Sequence, residues 1–168
     1  MQRHKDWLYR YIRRYIFNAE DAEDILQESF VSAWGALARY DPERPFSTWI
    51  RRIALNKCRD KARRDKVYRA VVGGLGLSEG ALEAPSDERA PDSSTIAAAT
   101  LARVHQSIRD LPAPLRDPLI LTALEGLSYK EAAAVLGLTP KAVELKIARA
   151  RARLAETLAR VDIIDLED

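Results

Sequence analysis

One cysteine, Cys58, and two histidines, His4 and His105, are all that 168 residues offer of the side chains most used in redox and metal chemistry. A lone cysteine excludes an intrachain disulfide framework and a cysteine-rich metal site, leaving Cys58 as a small buried or surface thiol. Two histidines so far apart in sequence do not make a zinc finger. No apolar run approaches the roughly twenty residues a membrane-spanning helix needs, so no membrane insertion is expected. The opening MQRHKDWLYRYIRR has no long apolar core of the signal-peptide kind, and a cytoplasmic setting fits. A phosphate-binding G-x-x-x-x-G-K-[ST] loop is missing, and no recognisable catalytic arrangement accompanies the clustered carboxylates. These absences point away from an enzyme and from any cofactor or metal.

Charge of one sign is also scarce overall, because 27 Lys and Arg against 25 Asp and Glu leave a formal net charge of only +2. Its distribution is uneven. Between Arg51 and Arg69 there are nine basic residues against two acidic ones, Asp60 and Asp65, a density suited to polyphosphate contact. A hydrophobic fraction of 47% supplies real cores, so disorder throughout is not expected.

The periodicity is helical, and the fold class it indicates is all-α. Leu8, Tyr11, Ile12 and Tyr15 recur at helical spacing in a first helix ending near Phe17-Asn18. In AEDAEDILQESFVSAWGALARY, the residues Ala22, Ile25, Leu26, Phe30, Val31 and Trp34 can share a broad buried face. The acidic residues Glu20, Asp21, Glu23, Asp24 and Glu28 complement that helix's N-terminus. Pro42 and Pro45 break the chain. A third helix then begins near Ser47, capped by Ser47 or Thr48, with Trp49, Ile50, Ile53, Ala54 and Cys58 inward and the basic residues outward.

From Val71 to Ser94 the periodicity fades among glycines, prolines and serines, which reads as a flexible interdomain linker or as a loop folded on one domain. The domains are therefore expected at 1–70 and 95–168, joined by a linker at 71–94. Helical spacing returns with Ile96, Leu101, Val104 and Ile108, and again with Leu115, Leu119, Ile120, Ala123 and Leu124 up to Gly126. Next, Ser128 and Glu131 fit the S-x-x-E capping box, with Ala132, Ala133 and Leu136 inward. Gly137 turns the chain and Leu138 seats the turn. Thr139-Pro140 opens a final helix anchored by Val143, Ile147, Ala150 and Leu154. This is helix-turn-helix grammar, fitting a DNA reader or an ordinary packed helix pair.

At DAEDILQESFVSAW followed by FSTWIRRIALNKCRD, and again at LPAPLRDPLILTALEGLSYKEAAAVLGLTPKAVELKIARARARL, the chain resembles the extracytoplasmic-function group of the sigma-70 family. The resemblance covers about Met1 to Tyr68 and Thr95 to Val161, and it implies two small helical domains, region 2 and region 4, the latter with a helix-turn-helix. In this family the acidic first block implies contacts to core RNA polymerase by Asp21, Asp24, Gln27, Glu28 and Trp34. Phe30 reads as core, Trp34 as either core or interface, and Asp21 alternatively as a stabiliser of its helix start. Phe46, Thr48 and Trp49 match the family's F-x-T-W motif, and Asn56 and Asp60 its N-x-x-x-D pattern, in the segment that reads and separates the promoter's minus-ten element. Trp49 reads as core. Arg51, Arg52, Lys57, Arg59, Arg63 and Arg64 are the phosphate candidates there, two or three of them alternatively a solvated face.

For the minus-35 element the resemblance points to Lys141, Glu144, Leu145, Lys146, Arg149, Arg151 and Arg153. Glu144 and Leu145 depart from the usual V-K-S-R, so Glu144 either accepts from a cytosine amino group or repels phosphate and tunes selectivity. The implied function is promoter-specific transcription initiation without catalysis, with core RNA polymerase, promoter DNA and an anti-sigma protein as partners. The resemblance also implies a bacterial cytoplasmic protein, nucleoid-associated when on polymerase. The alternative is a sigma-like adaptor that binds polymerase or an anti-sigma protein but opens no DNA.

Overall fold

Apolar residues three and four apart fix the first buried stripe. The structure, a computed structural model, describes residues 2–74 and 96–164. Among these there are only helices and turns, in two compact units. In the first unit, helix α1 (Gln2–Arg13) buries Leu8, Tyr11 and Ile12 completely, and Ile16 just beyond its end joins them. Tyr15, expected on the same stripe, is only half-buried because the helix has already ended. Asn18 then starts the next element, its side chain accepting from the Asp21 backbone N–H at 3.0 Å.

Helix α2 (Ala19–Gly35) buries Ala22, Ile25, Leu26, Ser29 and Ala33, a narrower and more polar stripe than expected. Three of these five residues are small, which lets α2 lie close against α1 and α3. Ser29 donates to the Ile25 carbonyl at 2.6 Å, which satisfies its buried hydroxyl. The expected burial of Val31 is wrong, as it is 73% exposed; Trp34, read as either core or interface, is 71% exposed and so not core, and Phe30 is half-buried. At about 100° per residue, positions 31 and 34 fall opposite a stripe centred on Ser29.

After a short 3₁₀ turn (Leu37–Arg39), helix α3 (Phe46–Gly74) begins one residue before Ser47. Neither Ser47 nor Thr48 caps it. The Pro45 carbonyl takes the first bonds, from the N–H groups of Thr48 and Trp49 at 3.0 and 3.3 Å, so both hydroxyl residues lie inside the first turn. Ile50, Ala54, Leu55 and Cys58 are buried, whereas Trp49 and Ile53 are half-buried. The helix continues through residues 71–74, the start of the expected linker, and the rest of that stretch, 75–94, lies outside the described residues.

The second unit comprises α4 (Ile96–Asp110), α5 (Ala113–Leu119), a π-turn (Ile120–Leu124), α6 (Tyr129–Leu136) and α7 (Pro140–Ile164). Of the expected α4 stripe, Val104 and Ile108 are half-buried, and the side chains of Ile96 and Leu101 lie outside the described residues. Pro118 inside α5 contributes no N–H, and the chain widens just after it, with Glu125 N–H bonded back to Ile120 O at 3.0 Å. One extra residue per turn rotates the downstream side chains by about 100°. Leu119, Ile120 and Leu121 are therefore buried, while Ala123 and Leu124, expected on the same stripe, are exposed.

The capping box forms as expected. Ser128 Oγ accepts from Glu131 N–H at 3.2 Å, and Glu131 accepts from Ser128 N–H at 2.8 Å. Ala132, Ala133 and Val135 are the buried residues of α6, with Leu136 half-buried. Gly137 closes the helix at φ 68°, the left-handed region that a side chain would strain. Leu138 does not seat the turn: it is 38% exposed, and its backbone N–H bonded to Ala133 O at 3.0 Å holds the turn instead. Thr139 Oγ1 caps α7, accepting from Ala142 N–H at 3.2 Å, and Val143, Ile147 and Ala150 lock α7 against α5 and α6.

Candidate nucleic-acid and protein interfaces

Residues 52, 56, 59 and 63 are spaced i, i+4, i+7, i+11, so they form one stripe along α3. Arg52, Asn56 and Arg63 are exposed and Arg59 is half-buried, which sets an amide with both donor and acceptor among three guanidinium groups. Asp60 lies beside the stripe and pairs with Arg63 at 2.9 Å. The other basic candidates face elsewhere. Arg51 sits with its guanidinium carbon 4.5 Å from the Trp7 ring centroid, and Lys57 pairs with Glu28 of α2 at 3.2 Å. Arg64 lines an open cleft of about 440 Å³ shared with Asp21, Asp24 and Glu28. The basic block expected to form one outer surface is thus divided between a solvent stripe and two helix contacts.

At the start of α3, Phe46 and Trp49 are held in an aromatic group. Phe46 lies 5.0 Å from the His4 ring and 5.7 Å from Tyr40, and Trp49 lies 4.9 Å from Tyr40, centroid to centroid. Tyr40 is fixed in turn, its hydroxyl donating to Arg44 O at 2.7 Å. Such tilted and edge contacts order the loop that carries Pro42 and Pro45.

The acidic residues of α2 also divide. Asp21 is half-buried and pairs with Lys61 at 3.1 Å, Lys61 reaches Asp65 at 3.0 Å, and Glu28 holds Lys57. Burial pulls the Lys61 ammonium down, but hydrogen bonds to Asp65 and Asp21, and the charges of both, outweigh it and raise its pKa. Asp24, Gln27 and Trp34 are exposed on the outer side, where Val31 and then Leu37, 47% exposed, continue the surface. Carboxylates at one end and bare apolar side chains at the other make a face suited to a basic partner with an apolar pocket.

In α7 the buried stripe of Val143, Ile147 and Ala150 fixes the rotation left open by the sequence. Lys141, Leu145 and Arg149, with the small Ala148 and Ala152, are exposed on the opposite side. Glu144 pairs with Lys141 at 2.9 Å, so its charge is partly offset where the helix begins. Arg151 and Arg153 are exposed on opposite flanks, and Lys146 is half-buried near the packed side.

Residues 1–67 match Sigma-70 region 2, and residues 101–154 match Sigma-70 region 4. RNA polymerase sigma factor CnrH of Cupriavidus metallidurans is 45% identical over 140 residues, covering 82% of this chain and 73% of that protein. ECF RNA polymerase sigma factor SigW of Bacillus subtilis is 30% identical over 159 residues, covering 92% of this chain and 84% of that protein. The chain belongs to the extracytoplasmic-function group of the sigma-70 family. RNA polymerase sigma factor NccH of Alcaligenes xylosoxydans xylosoxydans is 37% identical over 158 residues, covering 94% of this chain and 84% of that one. A solved structure of CnrH in complex with the cytosolic domain of CnrY superposes with a TM-score of 0.66 at 38% identity, covering 95% of this chain and 84% of that one.

As a sigma factor, the protein is a non-catalytic specificity subunit of RNA polymerase that serves promoter recognition, and α6–α7 is its DNA-binding helix-turn-helix. Sequence reasoning about this sigma factor missed Val31 and Leu37, which extend the outer face of α2. The signal was present in Ser29 and Ala33, whose small side chains mark the packed side and so turn positions 31 and 34 outward.

Proposed function

We propose that this sigma factor grips core RNA polymerase with the outer face of α2, reads and opens the minus-ten element with α3, and reads the minus-35 element with α7. The observation that carries this reading is the solvent stripe of Arg52, Asn56, Arg59 and Arg63. It presents base-edge chemistry and phosphate chemistry together on one helix, within the unit that matches region 2. Opening needs no bond cleavage. Capture of an extruded base offsets a few kcal/mol of unstacking, and the arginines hold the separated backbone. The factor favours the open promoter by binding it better than the closed one.

Within the α2 face, Asp24, Gln27 and Trp34 are the direct polymerase contacts, joined by Val31, whereas Asp21 and Glu28 act partly through their lysine partners on α3. Of the minus-ten residues, Arg52, Asn56, Arg59 and Arg63 meet DNA first, with Asp60 steering Arg63. Arg51, Lys57 and Arg64 flank them. On α7, Lys141, Glu144 and Leu145 face base edges near the helix start, Arg149, Arg151 and Arg153 reach phosphates, and Lys146 lies at the margin. An anti-sigma protein is the regulatory partner, a reading supported by the structure of the relative CnrH in complex with another protein, the cytosolic domain of CnrY. Among the described residues no helix is long and apolar enough to cross a membrane, and the proposed site of action is the cytoplasm, on nucleoid DNA once bound to polymerase.

Run-off transcription tests this reading. With purified core polymerase and a promoter recovered by transcribing genomic fragments, the protein should give a specific transcript from both the closed duplex and a pre-opened template. A transcript from the pre-opened template alone would mean a polymerase adaptor that opens no DNA.

A further inference from the structure

Helix α1 carries a second basic surface that neither the F-x-T-W motif nor the helix-turn-helix accounts for. Arg3 and Arg10 are exposed at i and i+7, one stripe of α1 about 10 Å long, and Arg14 is exposed in the turn that follows the helix. Half-buried Trp7 borders that stripe on the side of α3 and carries the Arg51 guanidinium at 4.5 Å. Arg51 is followed in the chain by Arg52, which begins the solvent stripe of α3. Arg51, drawn off the α3 stripe onto Trp7, thus brings the α1 arginines beside the turn of α3 that carries Arg52. Asp6 is the one carboxylate in α1, against Arg3, Lys5, Arg10 and Arg13. In α2 the balance is reversed, with five carboxylates and no Lys or Arg. Charge is thus segregated by helix within this unit.

We infer that the ridge of Arg3 and Arg10 on α1, with Arg14 in the turn after it, holds the sugar-phosphate backbone of promoter DNA next to the segment opened by α3. This rests on the reading of α3 as the minus-ten helix. Three arguments favour DNA as the occupant. The ridge borders the α3 face proposed above for DNA. Its sign is opposite to that of the α2 face, so the basic partner that suits α2 does not suit α1. Its side chains are arginines, whose planar donors match phosphate oxygens, and contacts to phosphate carry no base information.

Salt dependence provides the test, because each phosphate neutralised adds about 0.7 to 0.9 to the slope of log affinity against log salt. Holoenzyme reconstituted with wild type, with R3Q/R10Q/R14Q, and with R3K/R10K/R14K would be titrated onto the recovered promoter over a salt series. The glutamine variant should lower the slope by about 2 to 3 and weaken matched and mismatched promoters by the same factor. The lysine variant should restore the slope. Association with core polymerase, measured separately, should be unchanged in all three. An unchanged slope in the glutamine variant would overturn the inference, and so would loss of polymerase binding, which would make the ridge a protein contact. A wild-type holoenzyme that forms no specific complex would instead overturn the reading of α3.

Discussion

Glu28 of α2 and Lys57 of α3 meet at 3.2 Å, and the pair joins the helix proposed to hold polymerase to the helix proposed to open DNA. Their side chains are 46% and 32% exposed, so the pair contributes to folding on the scale of an exposed ion pair, about 0.2 to 1 kcal/mol. We expect Glu28→Lys and Lys57→Glu each to lower stability by no more than about 1 kcal/mol, and the double exchange to recover most of it. Urea denaturation of the four proteins measures this directly. Because Lys57 is engaged by Glu28, Lys57→Ala should also weaken promoter binding less than Arg52→Ala.

Asn56 should matter to opening far more than to folding. It is exposed on α3, so Asn56→Ala is expected to shift stability by less than about 0.5 kcal/mol. A lost base-edge contact of about 1 to 3 kcal/mol corresponds to at least a fivefold fall in specific transcript from a closed template. The pre-opened template should be affected less, and permanganate reactivity of unpaired thymines should fall in parallel.

The outer face of α2 gives the opposite separation of effects. Trp34 and Val31 leave most of their surface bare, so Trp34→Ala and Val31→Asp should fold normally. If Trp34 fills an apolar pocket on polymerase, its truncation should cost at least about 2 kcal/mol, roughly a thirtyfold loss of core affinity. Equilibrium binding of labelled sigma factor to core polymerase reads this out.

Helical periodicity made the order of the elements legible, because Leu8, Tyr11 and Ile12 in α1 and Val143, Ile147 and Ala150 in α7 repeat at the spacing that the fold buries. The second unit was readable at its turns for a local reason. Ser128, Glu131, Gly137 and Thr139 act on backbone groups within a few residues of themselves. The misplacements came from packing and backbone effects without a local sign. Val31 looks like core, and Trp34 stays open between core and interface, until the small Ser29 and Ala33 are seen to form the contact. Ala123 and Leu124 fit a regular helix, but the wide turn after Pro118 rotates them outward. In the candidate site, residue types were legible and directions were not: the sequence has Arg51, Lys57 and Arg64 beside Asn56, whereas Trp7 and Glu28 draw the first two aside and Arg64 lines the cleft beside α2.

Lys61 ties α3 to Asp21 and Asp65, and its raised pKa fixes the sign of a pH effect. Its contribution should be fully present below the ordinary lysine pKa of 10.5 and be lost as pH climbs through its higher folded value. Lys61→Met should therefore flatten the fall in stability on the alkaline side, while leaving the acid side governed by the carboxylates. Thermal melts between neutral and strongly alkaline pH, compared with wild type, check this.

In the helix-turn-helix, Ser128→Ala removes one half of the capping box and should lower stability by about 1 kcal/mol. The loss should appear in the unit containing α6, as faster amide exchange in Tyr129 to Leu136, with α1–α3 unchanged.

The most direct test of the account is to sequence the 5′ ends of transcripts made in vitro from genomic fragments by purified core polymerase, with and without this protein. The account expects a small set of discrete starts that appear only with the protein and share two short upstream elements, one near minus-ten and one near minus-35. Start sites identical to those of core polymerase alone, under conditions where the protein demonstrably binds core, would contradict it.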